Sequence, residues 1–110
     1  MEWYRDKRVV VTGGSSGIGK STAMLLSQWG AQCCIIGRDK QKLENALHEI
    51  RSKAAGAGSG QKLIAVPADV SDRGQMNAAA QSIVKELGGI DVLVNCAGIT
   101  NPAYIDKIPR

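Results

Sequence analysis

One stretch constrains the fold more than any other: the apolar run Arg8–Thr12 passes directly into the glycine-rich run GGSSGIGKST of residues 13–22. The apolar run is short and β-branched, which favours a buried strand. Behind the glycines, residues recur at helical spacing until Gly30 ends the pattern. We expect these residues to face a core: Ile18, Thr22, Ala23, Leu25, Leu26 and Trp29. The loop therefore joins a strand to a helix.

The same alternation continues along the chain. Apolar runs lie at residues 31–38, 62–69 and 88–98, and each predicts a strand. A charged helix is predicted from about Asp39 to Ala55, and Ser71 and Asp72 are expected to cap another that runs to Leu87. Their inward residues are expected to be Leu43, Ala46, Leu47 and Ile50, and then Met76, Ala80, Ile83, Val84 and Leu87. This order predicts an α/β fold with a doubly wound parallel sheet, formed by one domain over residues 1–110.

Composition narrows the class of protein. The 14 Lys and Arg against 10 Asp and Glu give a net charge of +4, but the basic residues are spread out, which argues against a nucleic-acid surface and suits a small anionic ligand. Three cysteines, two of them adjacent, do not form a disulfide framework, and a reducing compartment fits. No metal-ligand spacing is present, and His48 is expected to face solvent. The first eight residues resemble neither a signal peptide nor a membrane span.

The glycine-rich loop fits two nucleotide-binding patterns. Residues 14–21 spell G-x-x-x-x-G-K-S, a P-loop in which Lys20 would reach phosphates and Ser21 would bind magnesium. That site also needs an acidic residue where a later strand ends. The fourth strand ends instead at Asn95, and Asp69 comes only after Pro67 and an alanine. The sequence therefore offers no well-placed acidic residue to complete the magnesium site of a P-loop.

The second pattern is a dinucleotide-binding turn made by Gly13, Gly17 and Gly19, in which Ser15 and Ser16 offer further donors. Such a turn lets the backbone approach a pyrophosphate at the positive end of the first helix. About twenty residues on, an acid selects a free ribose 2′-hydroxyl and a base accepts a 2′-phosphate. This chain has Arg38 there, with Lys42 one helical turn beyond. We therefore predict NADPH as the cofactor.

Three motifs in order resemble the short-chain dehydrogenase/reductase family: TGGSSGIG at residues 12–19, ADV at 68–70 and NCAG at 95–98. The resemblance implies that Ile18 belongs to the cofactor loop, that Asp69 accepts a bond from the adenine amine, and that Val70 lies against the adenine ring. It further implies that Asn95 braces the sheet while Ala97 and Gly98 leave room for the nicotinamide ribose. Cys96 replaces a second Asn of the family pattern.

The family's catalytic Ser and Tyr-x-x-x-Lys pair lie downstream of the Asn-x-Ala-Gly turn. Tyr104 and Lys107 are three residues apart instead of four, so we assign no catalytic residue within this chain. The resemblance implies the cofactor-binding half of a longer reductase, with four strands of a larger sheet. We expect the 110 residues alone to be inactive and of marginal stability.

Within the family, the 3-ketodihydrosphingosine reductases resemble this chain in GGSSGIGK, in the pair Arg38 and Lys42, and in NCAGITNPAYIDKIP from residue 95. That likeness implies reduction of a long-chain 3-keto lipid in sphingolipid synthesis, at the cytosolic face of the endoplasmic reticulum. Residues 99–109 would form an apolar wall of the substrate pocket. We also allow for a homo-oligomer of the full-length protein. The alternatives are reduction of another ketone, a P-loop NTPase, and a non-catalytic nucleotide-binding module.

Overall fold

The computed structural model describes residues 5–13, 17–54 and 61–96. Within these ranges strands and helices alternate along the chain: β1 (Arg8–Thr12), α1 (Gly17–Gln28), β2 (Gln32–Gly37), α2 (Lys40–Ala54), β3 (Leu63–Pro67), α3 (Arg73–Leu87) and β4 (Val92–Asn95). The strands form one parallel sheet in the order β3-β2-β1-β4. The predicted α/β doubly wound fold is confirmed.

The sheet has a hydrophobic core on each face, because successive residues of a strand point to opposite sides. Val9 and Val11 of β1 belong to the core beneath α1 and α2, whereas Val10 belongs to the core beneath α3. The helices contribute buried residues to these two cores, which are Ala23, Leu26, Leu43, Ala46 and Ile50 on the first face and Ala79, Ile83 and Leu87 on the second.

The strand order reverses at β1. The chain runs outward from β1 through β2 to β3, and α3 then carries it back so that β4 pairs with the other side of β1. In open α/β sheets the loops after the two strands that flank such a reversal diverge and leave a crevice, which is where these folds bind their ligands. The fold therefore places the candidate site at the carboxyl edge of the sheet.

Some expected core residues lie outside the core. On α1, Ile18 is 65% exposed and Leu25 is 46% exposed, while on α3, Val84 is 47% exposed and Ala80 also faces outward. In each case the next or preceding residue is buried instead, as with Ala79. One step along a helix turns the side chain by about 100°, so a narrow contact with the sheet leaves these flanking positions exposed.

At the amino edge of the sheet, Arg8 links β1 to the segment that precedes β4. Arg8 donates from its backbone N and its Nε to Asp91 Oδ2 at 2.8 and 2.9 Å, and from Nη2 to Asp91 Oδ1 at 3.0 Å. Its Nη1 also donates to the carbonyl of Gly88 at 2.9 Å. The hydrogen bonds and positive charge of Arg8 lower the pKa of Asp91 to about 2. These bonds join the start of β1 to the segment before β4, at the edge opposite the candidate site.

All three cysteines are buried free thiols. Burial raises the pKa of Cys33 and of Cys34 to about 12, which agrees with their positions inside β2. His48 is exposed on α2, as predicted. Among the described helices, none combines the length and the apolar character needed to cross a membrane.

Candidate cofactor-binding site

Strand register brings the residues that follow the four strands to one edge. Thr12 pairs with Ile36 of β2 and with Asn95 of β4, and Gly37 pairs with Pro67 of β3. The turn at Gly13, Arg38, Asp69 and Asn95 therefore lie along the same edge of the sheet. These are the positions that the sequence pattern predicted as a site.

The turn after β1 needs glycine at its first residue. Gly13 has a φ of +70°, in the left-handed region that glycine adopts most readily, and its N–H donates to the carbonyl of Ile36 at 2.8 Å. At Gly17, where α1 begins, an added Cβ would meet no described atom within 4 Å. Packing among the described residues therefore does not require a glycine at position 17, whereas a ligand lying against the backbone would.

The amino terminus of α1 suits an anion. Its first turn contains no acidic residue, and the unpaired N–H groups and the dipole of a helix favour negative charge at this end. Gly19 is buried in the same turn, while Ile18 is exposed. Ser15 and Ser16, which were predicted to donate to the pyrophosphate, lie outside the described residues, as do Ala97 and Gly98.

Arg38 and Asp69 lie beside each other after β2 and β3. Ala68 N donates to the carbonyl of Gly37 at 2.9 Å, which ties the two strand ends together. Two hydrogen bonds from Ser71 lower the pKa of the Asp69 carboxyl, and the positive charge of Arg38 lowers it further. Arg38 is exposed, so its guanidinium is open to a ligand at this edge.

The acid next to Arg38 has a structural partner. Asp39 Oδ1 accepts the N–H of Lys42 at 3.1 Å, and the Asp39 carbonyl accepts the N–H of Leu43 at 2.9 Å. These are the contacts of a residue that caps the start of a helix. Asp39 therefore caps α2, and Arg38 is the residue after β2 whose charge remains available.

Lys42 lines a groove between α1 and α2 of about 200 Å³, together with Lys20, Asn45, Ala46 and Glu49. In this groove Lys20 Nζ lies 3.3 Å from Glu49 Oε2. This contact between the two helices was not predicted, because the sequence spacing of 29 residues gives no local signal for it. The ammonium of Lys20 thus points toward Glu49 on α2.

Asn95 is joined to β1 through its side chain. Thr12 Oγ1 donates to Asn95 Oδ1 at 2.8 Å, and Cys96 N donates to the carbonyl of Thr12 at 3.1 Å. This hydrogen bond joins β1 and β4 at the residue that the resemblance implies braces the sheet. Thr12 was not singled out as its partner: its place at the end of β1 puts it at the same edge of the sheet, but its pairing with Asn95 depends on the strand order.

Asp69 and Val70 lie in the turn between β3 and α3. Val70 is 40% exposed, so an apolar surface is available beside the Asp69 carboxylate. Of the two residues predicted to cap α3, Asp72 is the N-cap, whereas Ser71 donates both its N–H and its Oγ to Asp69 Oδ1 at 2.9 and 2.7 Å. The spacing Asp-x-Ser was the available signal for this second arrangement.

The sequence of residues 7–110 matches the family model described as short chain dehydrogenase. The chain belongs to the short-chain dehydrogenase family. Membership in this family of oxidoreductases makes the P-loop NTPase interpretation of residues 14–21 wrong, in agreement with the pairing of Lys20 to Glu49.

Other short-chain dehydrogenases are similar over most of this chain. Dehydrogenase/reductase SDR family member 7B of Danio rerio is 36% identical over 96 residues, which are 87% of this chain and 31% of that protein. The structure of L-sorbose reductase from Gluconobacter frateurii, complexed with NADPH and L-sorbose, is 30% identical with a TM-score of 0.79, covering 92% of this chain and 37% of that one. The structure of NAD⁺-bound xylitol dehydrogenase is 27% identical with a TM-score of 0.73, covering 82% of this chain and 32% of that one. The chain thus spans about a third of the length of these relatives.

Proposed function

We propose that this protein is an NADPH-dependent reductase of a ketone, and that the described edge of the sheet binds its cofactor. The observation that carries the proposal is Arg38, which is exposed directly after β2 while the neighbouring Asp39 is engaged as the cap of α2. A guanidinium at this position suits a ribose 2′-phosphate, because it forms two parallel charged hydrogen bonds. The similar structures with NADPH and with NAD⁺ leave both cofactors open for the family, so this residue bears on the choice.

The other residues of the site fit the remaining parts of the cofactor. The turn at Gly13, Ser15 and Ser16 and the start of α1 at Gly17, Ile18 and Gly19 would hold the pyrophosphate. Lys42 would add a positive charge beside the 2′-phosphate, and Asp69 and Val70 would hold the adenine. Asn95, Ala97 and Gly98 would border the nicotinamide ribose. When bound there, the cofactor would supply a hydride for the carbonyl carbon of the substrate, and uptake of a proton by the carbonyl oxygen would complete the alcohol.

The substrate that we propose is a long-chain 3-keto lipid, namely 3-ketosphinganine, which would be reduced to sphinganine at the cytosolic face of the endoplasmic reticulum. Its support is the sequence resemblance in residues 13–20, at Arg38 and Lys42, and in residues 95–109. Of the last segment, residues 97–109 lie outside the described residues. Among the relatives, the sorbose reductase acts on a sugar, which makes L-sorbose a suitable competing substrate in the assay.

The cofactor is tested by calorimetric titration of the protein, expressed from its complete reading frame, with NADPH and with NADH. We expect NADPH to bind at least about tenfold more tightly, the lower end for a charged hydrogen bond. Equal affinities, or tighter binding of NADH, would overturn the cofactor assignment.

The substrate is tested separately, by rescue of cells that lack sphinganine synthesis and by comparing kcat/KM for 3-ketosphinganine and L-sorbose. Failure of the folded protein to rescue, together with a higher kcat/KM for the sugar, would withdraw the lipid and leave an NADPH-dependent reductase of another ketone.

A further inference from the structure

The turn that carries Asp69 is held by hydrogen bonds to both the backbone and the side chain of this residue. The Asp69 N–H donates to Gln75 Oε1 at 2.8 Å, and the Asp69 carbonyl accepts the N–H of Asp72 at 3.0 Å. Its Oδ1 accepts the two hydrogen bonds from Ser71. Among the described residues no donor bonds to Asp69 Oδ2, so one oxygen of the carboxylate remains available for a ligand.

Gln75 connects this turn to the start of α3. Besides accepting the Asp69 N–H, it donates from Nε2 to Asp72 Oδ2 at 3.3 Å and from its backbone N to Asp72 Oδ1 at 3.0 Å. In the usual capping box a glutamine three residues after the N-cap reaches back to the N-cap N–H. Here the same side chain reaches three residues further back, to the residue that the proposed function places against adenine.

The orientation of the Gln75 amide follows from its neighbours. The Asp69 N–H can only donate and the Asp72 carboxylate can only accept, so Oε1 must face the first and Nε2 the second. The last backbone hydrogen bond that ties this turn to the sheet is the one from Ala68 N to the Gly37 carbonyl. Beyond it, the backbone of Asp69 is positioned from α3, through Gln75 and Asp72.

We infer that Gln75 is a positioning residue of the adenine subsite. By accepting the N–H of Asp69, Gln75 fixes the position of the Asp69 backbone. From that position the free Oδ2 accepts a hydrogen bond from the 6-amino group of adenine. This inference rests on the proposed function, and it assigns to Gln75 an effect on adenine recognition without contact with the cofactor.

The test compares NADPH with its hypoxanthine analogue, in which a carbonyl oxygen that cannot donate replaces the 6-amino group. The wild-type protein is expected to bind NADPH about tenfold more tightly than the analogue, because the amine donates to a charged acceptor. In Gln75→Met the NADPH affinity is expected to fall about fivefold while the affinity for the analogue hardly changes. The preference for adenine then shrinks to about twofold. A side chain that served only the stability of the fold would lower both affinities in the same proportion and leave their ratio unchanged.

Two kinds of control sharpen this comparison. Gln81→Met makes the same change at another exposed glutamine of α3, and it should keep the tenfold preference. Gln75→Glu keeps an acceptor for the Asp69 N–H but sets a carboxylate against Asp72, so the preference should fall. The double variant D72N/Q75E restores a donor and acceptor pair, because Asn caps a helix about as well as Asp, and the preference should return.

The outcomes separate the inference from the proposed function. If the wild-type protein binds neither NADPH nor its analogue, the proposed function fails. If the wild-type protein prefers NADPH over the analogue and Gln75→Met keeps the full preference, the inference is overturned while the proposed function stands. If Gln75→Met melts too low to be measured, the ratios in Q75E and D72N/Q75E decide: a preference that stays high in the single variant, or stays low in the double variant, overturns the inference.

Discussion

Replacing Arg38 by Asp should reverse the choice between NADPH and NADH. Arg38 is exposed after β2, and the pKa of Asp69 beside it is lowered in part by its charge. The Asp39 carboxylate is already engaged at the start of α2. Arg38→Asp therefore removes the guanidinium proposed to bind the 2′-phosphate and leaves Lys42, one helical turn beyond, as the remaining positive charge proposed for this group.

The magnitude follows from two effects. A hydrogen bond to a charged group contributes about 1.5–3 kcal/mol, and the exposure of Arg38 favours the lower end of that range. The new carboxylate also repels the 2′-phosphate by about 1 kcal/mol per charge pair at a contact distance in water. Together they should weaken NADPH binding by about 2–3 kcal/mol, which is about 30- to 150-fold. The binding of NADH should be unchanged or tighter, because an acid at this position can accept the ribose 2′-hydroxyl.

The assay is a titration of wild type, Arg38→Asp and Lys40→Asp with both cofactors in the same buffer. Lys40 begins α2 two residues further on and is also exposed, so its replacement makes the same change of charge in the same neighbourhood. We expect Lys40→Asp to lower the NADPH affinity only a few-fold. If Arg38→Asp leaves the ratio of the two affinities unchanged, or if Lys40→Asp shifts it equally, the 2′-phosphate does not bind at Arg38.

Three further predictions concern other parts of the molecule. Lys20→Met should change the NADPH affinity by less than about fivefold, since Lys20 is engaged with Glu49 and an exposed ion pair contributes at most about 1 kcal/mol; a loss of all cofactor binding would show instead that Lys20 itself contacts the cofactor. Asp91→Asn should lower Tm at pH 7, and thermal melts should show the difference from wild type disappearing as the pH falls from about 4 towards 2. The reason is that Arg8 lowers the pKa of Asp91 to about 2 in the folded protein, so the stabilisation is complete above the unfolded pKa and is lost as the folded carboxyl takes up its proton. Cys33 and Cys34, whose pKa burial raises to about 12, should react with a thiol reagent at pH 8 only after denaturant is added, and rapid labelling of both in the folded protein would contradict their burial.

The sequence pattern was sufficient to predict the fold because two signals indicate each strand. One is the apolar run itself, and the other is the turn or helix start that follows it. β1 was predicted with its observed bounds, and the predicted ends of the other strands differ by only a few residues. The strand ends then located Arg38, Asp69 and Asn95, since parallel strands present their carboxyl ends at one edge. The side chains that contact one another there could not be predicted, because the bond from Thr12 to Asn95 depends on strand order and the pairing of Lys20 with Glu49 depends on how α1 packs on α2.

Periodicity also overestimated how much of each helix is buried. It assigned Leu25 and Val84 to the core, but both are nearly half exposed. A period of 3.6 residues defines the direction of a helix face and not its width. The width is set by the neighbouring elements, and it had to be observed.

The candidate site separates the residues that build the fold from those that select the ligand. Val9, Val10 and Val11 are buried in β1 beneath the helices, and a large change in any of them would remove core contacts. Arg38, by contrast, is exposed beyond the end of β2 and belongs to neither core cluster. Surface substitutions of this kind usually change stability by less than about 0.5 kcal/mol, whereas the same position should change cofactor affinity by about 2–3 kcal/mol. We therefore expect cofactor choice to change through one residue while the sheet and its two cores stay as they are.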